Sequence, residues 1–134
     1  NILSMMRYSK AEEAIKQFLQ ENTFGISAMA SILLLSEGAE SSVELVKHLL
    51  RDPNEKIRIQ AALILSLFDS GSEGLLVLQD SYKTSSREMK ERILEGIGRI
   101  GSSSSIPFLV ECLNEPFQSL RVIAASSLLQ VLYH

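Results

Sequence analysis

The residues from Val43 to Phe68, VELVKHLLRDPNEKIRIQAALILSLF, return without a gap from Ile106 to Val131 as IPFLVECLNEPFQSLRVIAASSLLQV. Leu50, Pro53, Arg58, Ala61, Ala62 and Leu65 recur as Leu113, Pro116, Arg121, Ala124, Ala125 and Leu128. Val43/Ile106, Val46/Leu109, Asp52/Glu115, Ile57/Leu120 and Ile59/Val122 change only conservatively. Few features restrict a fold as tightly, because each copy of a repeat this short is one helical or stranded unit that buries its apolar face only by stacking on its neighbours.

Within a copy the pattern is that of two helices. Ser41 and Glu44 have the spacing of a capping box, and Val43, Leu45, Val46, Leu49 and Leu50 then supply an apolar face. Arg51-Asp52-Pro53 turns the chain, with Asp52 expected as an N-cap and Pro53 in the first turn of the next helix, where a missing N–H costs nothing. Ile57, Ala61, Ala62, Ile64, Leu65 and Phe68 carry that helix to the break at Asp69-Ser70-Gly71.

A divergent unit lies between the two copies, with Leu75, Leu78 and Tyr82 on its first helix and Met89, Ile93, Leu94, Ile97 and Ile100 on its second. There Ser85 and Glu88 have the capping-box spacing, as do Ser9 and Glu12 in an earlier unit whose second helix is FGISAMASILLLS, ending near Gly38. Unit starts near Glu12, Val43, Leu75 and Ile106 give a period of 31 to 32 residues. The expectation is one all-α domain over 1–134, a superhelix (solenoid) of about four helical hairpins at about 9–38, 41–69, 72–101 and 104–134. Residues 1–8 are expected to end a helix of a preceding repeat, so the chain reads as a piece of a longer protein. The last helix, with Val122, Ile123, Leu128, Leu129, Val131, Leu132 and Tyr133, has more apolar surface than one inner face needs, which suggests self-association through exposed terminal repeats.

Composition narrows the partners. With 46% apolar residues the chain folds, and a net charge of −3 gives no general attraction to phosphate backbones or anionic lipid. One cysteine and no zinc-type cysteine pairs fit a reducing, cytoplasmic setting. No apolar run reaches the roughly 18 residues of a membrane span.

The stretch Ile97-Gly98-Arg99-Ile100-Gly101, followed by Ile106-Pro107-Phe108-Leu109 and then Leu113, Glu115, Leu120-Arg121 and Ala124-Ala125, resembles the HEAT repeat. The similarity is greatest to its short bacterial form, the phycobilin-lyase HEAT-like type, and covers nearly the whole chain. The resemblance implies a right-handed superhelix, with first helices on the convex side and second helices on the concave side. It also implies a structural ladder of a turn acid and a second-helix arginine, matched by Asp52 with Arg58 and Glu115 with Arg121. Thr84 and Lys90 depart from this pattern in the third unit, which interrupts the series there.

Catalytic, metal-binding and cofactor-binding sets are not evident. Cys112 stands where the matching unit has Leu49, a core position in which a free cysteine acts as a small hydrophobe. His48 and His134 are not in metal-ligand pairs. Glu88, Glu91 and Glu95 on one helix suggest an acidic site, but Arg87, Arg92 and Arg99 stand at i,i+4 to these carboxylates and imply a salt-bridged, solvated face. The serines from Ser102 to Ser105 suit either a phosphate nest or an ordinary surface loop. Second helices carry no basic stripe of the kind a DNA-gripping concave surface needs.

The function expected from these features is protein–protein interaction or scaffolding, without enzymatic activity. The partner-binding candidates are Gln60, Glu88, Glu91, Arg92, Glu95, Arg99 and Ile123, with Leu63 and Leu67 as further apolar anchors. Two alternatives stand beside it: an architectural segment linking domains of a larger protein, and a HEAT-like lyase or isomerase accessory acting on a prosthetic group.

Overall fold

A computed structural model describes residues 2–21, 39–68 and 71–134. Among these are seven α-helices and no strand: α1 (Ile2–Glu21), α2 (Ala39–Leu49), α3 (Glu55–Leu65), α4 (Leu75–Ser81), α5 (Arg87–Ile100), α6 (Ile106–Cys112) and α7 (Gln118–Leu132). Helices pair as the repeat requires, α2 with α3, α4 with α5 and α6 with α7, and each pair packs on the next. The expected second helix of the first unit, from Phe24 to Ser36, and its cap at Gly38 lie outside the described residues.

Several boundaries differ from the pattern-based expectation, each for a local reason. Helix α1 is continuous through Ser9, so residues 2–8 do not end a separate helix and Ser9 does not cap one. No glycine or proline interrupts Ile2–Glu21, and Glu12 is hydrogen-bonded to His48 at 2.7 Å rather than folded back on a helix start. Similarly, α2 begins at Ala39, which puts Ser41 inside it, and Glu44 pairs with Lys47 at 3.2 Å. Helix α3 is capped by Asn54, whose side chain accepts from the Lys56 amide, and α5 by Ser86, which accepts from the Met89 amide. Pro53 and Pro116 therefore sit in the turns ahead of α3 and α7, while Pro107 does occupy the first turn of α6.

Helix α3 is the pivot of the packing. Every residue from Ile59 to Leu65 is buried, as is Ile57, because the helix is apolar nearly all round and is covered on both flanks. One flank, through Ile57, Ala61, Ile64 and Leu65, meets Ile15 and Leu19 of α1 and Val46 and Leu49 of α2. The other, through Ile59, Ala62 and Leu63, joins a larger core running through Leu78, Ile93, Leu94 and Ile97 to Leu109 and Leu120. Leu63 thus belongs to the core, which removes it from the set of surface anchors.

Contact between α5 and α7 is the most extensive helix pairing among the described residues. Gly98 permits it: a Cβ there would lie 2.9 Å from Ser127 Oγ, 3.0 Å from Ser127 Cβ and 2.7 Å from Gln130 Oε1. Ser127 uses the closeness, donating its hydroxyl to the Leu94 carbonyl at 2.7 Å across the seam. Gly101 ends α5 in the left-handed conformation at φ 70°, the region glycine tolerates best.

Candidate functional site

The turn between the helices of each unit is built the same way in the second and fourth copies. Arg58 Nη1 donates to the carbonyls of Asp52 at 2.7 Å and Pro53 at 2.9 Å. Arg121 Nη1 repeats this with the carbonyls of Glu115 at 2.8 Å and Pro116 at 2.9 Å. The expected acid–arginine pairing is therefore a side-chain to backbone clasp. A guanidinium presents several N–H groups in a fixed fork, which suits two carbonyls of one tight turn.

The carboxylates, freed from their own arginines, reach the preceding unit. Asp52 Oδ1 meets Lys16 Nζ of α1 at 2.9 Å, and Glu115 Oε2 lies 4.0 Å from Lys90 Nζ of α5. In the third unit Thr84 Oγ1, standing in the acidic place, donates to Glu55 Oε1 of the second unit at 3.1 Å. Thr84 and Lys90 thus each supply a link to a neighbouring unit, while the arginine clasp itself is made, among the described residues, in the second and fourth units and not in the third.

Asp52 is the best-held member. Burial works to raise its carboxyl, but the Asn54 amide at 2.9 Å, the Lys16 ammonium and the Arg58 charge act the other way and leave it below the usual carboxylate value. A depressed folded value means that the contribution is whole above the unfolded carboxyl's value, about 3.9, and is lost as pH falls through the folded value beneath it. The expected result is that Asp52→Asn lowers the urea midpoint at neutral pH, and that this difference from the parent protein closes below about pH 4. A gap that persists unchanged under acid would show that the carboxylate charge is not what the site uses.

The predicted partner-binding residues do not form one surface. Gln60 is 1% exposed and its Nε2 has no hydrogen-bond partner, so this side chain is part of the interior. Ile123 is half-buried against the main core. On α5, Glu88 and Glu95 are exposed, whereas Glu91 and Arg92 are half-buried. Arg99 Nε donates to Ser66 Oγ at 3.1 Å and ties α5 to the end of α3, with burial lowering its pKa and Glu95 acting against that. Arg87 lies over the Phe117 ring at 5.0 Å, at the start of α7. Two arginines expected to neutralise the acidic face are thus engaged with neighbouring units.

A groove of about 480 Å³ lies instead at the junction of the third and fourth units, lined by Tyr82, Lys83, Lys90, Phe108, Cys112 and Glu115 among others. Tyr82 and Phe108 meet edge to face at 5.3 Å, and Lys90 Nζ sits 5.1 Å from the Tyr82 ring centre. The Tyr82 hydroxyl is buried without a hydrogen-bond partner, and burial, with Cys112 and Glu115 nearby, pushes its pKa up. Burial also raises the Cys112 thiol, to about 11. Both groups are therefore protonated at neutral pH, so neither presents a phenolate or a thiolate to the groove. The sequence marked Cys112 as a core residue, but it held no signal that Tyr82 and Lys90 would meet it there, because they come from different elements.

The serine run Ser102–Ser105 is a capped turn: Ser102 Oγ accepts from the Ser104 amide and Ser105 Oγ donates to the Ser102 carbonyl. Among the described residues, no group of three or more His, Cys, Asp or Glu side chains is placed to hold a metal ion, and no helix is long and apolar enough to cross a membrane.

A family model described as HEAT repeats matches residues 42–129, more than half of the chain. The comparison with curated proteins finds no match.

Proposed function

Since the chain belongs to the HEAT-repeat family, we propose that it is a protein-binding scaffold whose partner docks on the acidic face of α5, centred on Glu88, Glu91 and Glu95. Repeats of this kind generally serve protein–protein interaction or scaffolding, and their curved stacks offer extended surfaces from residues outside the core. The single observation that carries the choice of face is Glu95. It is exposed at the place in the repeat where the second unit has Leu63, which is fully buried. The third unit has thus exchanged a stacking residue for a solvated charge, and stacking does not account for it.

Arg87 and Arg99 turn to Phe117 and Ser66 of neighbouring units, which leaves the row of Glu88, Glu91 and Glu95 carboxylates to a partner segment bearing lysine or arginine. The test is a pull-down with the parent protein and with Glu88→Lys/Glu91→Lys/Glu95→Lys, leaving Arg99 in place so that the Ser66 tie is kept. The expected result is loss of the captured protein with an unchanged circular dichroism spectrum. Capture of the same protein at the same level by the reversed variant would reject this face as the docking surface.

A further inference from the structure

We propose that the turn between α4 and α5, residues 82–86, is a release point that opens by itself while the helices around it stay folded, uncovering the groove beside Tyr82. The three described turns of the array share one register. In each, the amide one turn into the second helix, of Arg58, Lys90 or Arg121, donates to the carbonyl four residues back, of Asn54, Ser86 or Phe117. They differ in how they are closed.

The second and fourth turns each have three successive backbone hydrogen bonds, from Leu50, Arg51 and Asp52 and from Leu113, Asn114 and Glu115, all at 3.1 to 3.2 Å. At the equivalent places in the third turn only the Tyr82 amide makes such a bond, to the Gln79 carbonyl at a longer 3.4 Å. The guanidinium clasp is also absent there. Lys90 stands where the other units have Arg58 and Arg121, but its ammonium lies 5.1 Å from the Tyr82 ring centre and 4.0 Å from Glu115 Oε2. The Ser85 hydroxyl, which donates to the Ser81 carbonyl at 2.7 Å, is a neutral substitute, and a neutral hydrogen bond is about half as strong as a charge-assisted one.

Opening also brings a gain that the other two turns lack. Tyr82 stands in the place of Leu50 and Leu113, and its hydroxyl is buried with no hydrogen-bond partner. A polar group buried unpaired raises the energy of the closed form and recovers its bonds in water once the segment opens. The third turn thus has fewer bonds to break and one group to satisfy. The difference does not arise at an end of the array, since the third unit packs on the second through α3 and on the fourth through α7.

Native-state hydrogen exchange at low urea concentrations tests this. The Tyr82 amide is expected to have a protection factor about tenfold or more below those of Leu50 and Leu113, and nearly independent of urea, as an opening that exposes little surface should be. Cys112, the single cysteine, is buried and lines the groove with Tyr82, so its labelling by a thiol reagent in the native protein reads the same opening. Lys90→Arg supplies the missing fork within reach of the Thr84 and Ser85 carbonyls. It should raise Tyr82 protection, and slow Cys112 labelling, by about tenfold. Tyr82→Phe removes the unpaired hydroxyl and should act in the same direction. Equal protection at the three amides, Tyr82 exchange that steepens with urea as global unfolding does, or a Lys90→Arg protein unchanged in both readouts would each overturn the proposal. Should Tyr82→Phe fail to fold, Lys90→Arg decides alone.

Discussion

Leu94→Ala is expected to destabilise the protein by about 2 to 5 kcal/mol, through the lost transfer of a buried side chain and the cavity left behind. Leu94 is 0% exposed and belongs to the core that links the second, third and fourth units. Its backbone carbonyl also accepts the Ser127 hydroxyl, so the α5–α7 seam is pinned at that residue and has little freedom to collapse into the cavity. Urea unfolding followed by circular dichroism measures the change. Leu76→Ala, at a residue 69% exposed, is the matching control and should move the midpoint little. Equal effects at both positions would mean that the core through the third unit does not carry the stability assigned to it.

Removing a turn clasp is the second large effect expected. Each guanidinium of Arg58 and Arg121 holds two backbone carbonyls, and hydrogen bonds to a charged group contribute about 1.5 to 3 kcal/mol each, discounted at the partly exposed carbonyls of Pro53 and Pro116. Arg58→Met and Arg121→Met should therefore each cost about 2 kcal/mol, with methionine keeping most of the apolar stem. The two sites share no partner, so the double variant should lose the sum. A lysine at either place should recover only part, because a single ammonium does not reproduce the fork. If Arg→Lys is silent at both positions, charge alone accounts for the clasp and its geometry does not.

These effects also mark what could be read from the chain before its structure. Helical pairing, the period and the buried Ala61-Ala62 and Ala124 positions follow from spacing, because apolar residues three and four apart must share a helix face. Spacing also brought Asp52 near Arg58. It did not show that the arginine would take the backbone and leave the carboxylate for Lys16, since the choice depends on how closely the previous unit approaches. The surroundings of Gln60 and Arg99 lie beyond the reach of periodicity for one reason: it tells which residues lie in the same row, but not whether the adjoining unit covers that row. Gln60 is covered, and Arg99 leans across a seam to Ser66. The cap at Ser86 in place of Ser85 is a smaller matter, because two adjacent serines offer the same chemistry and the backbone decides between them.

The close approach at Gly98 has a mechanical meaning. Between α5 and α7 there is little side-chain layer to compress or slide, since Ser127 and Gln130 rest nearly against the α5 backbone and a hydroxyl fixes the register. The α3–α5 seam meets over a smaller stretch and is padded by a long leucine and an arginine. Under a bending load the array should therefore resist sliding at the α5–α7 seam, whereas a change of curvature at the α3–α5 seam would draw Arg99 away from Ser66.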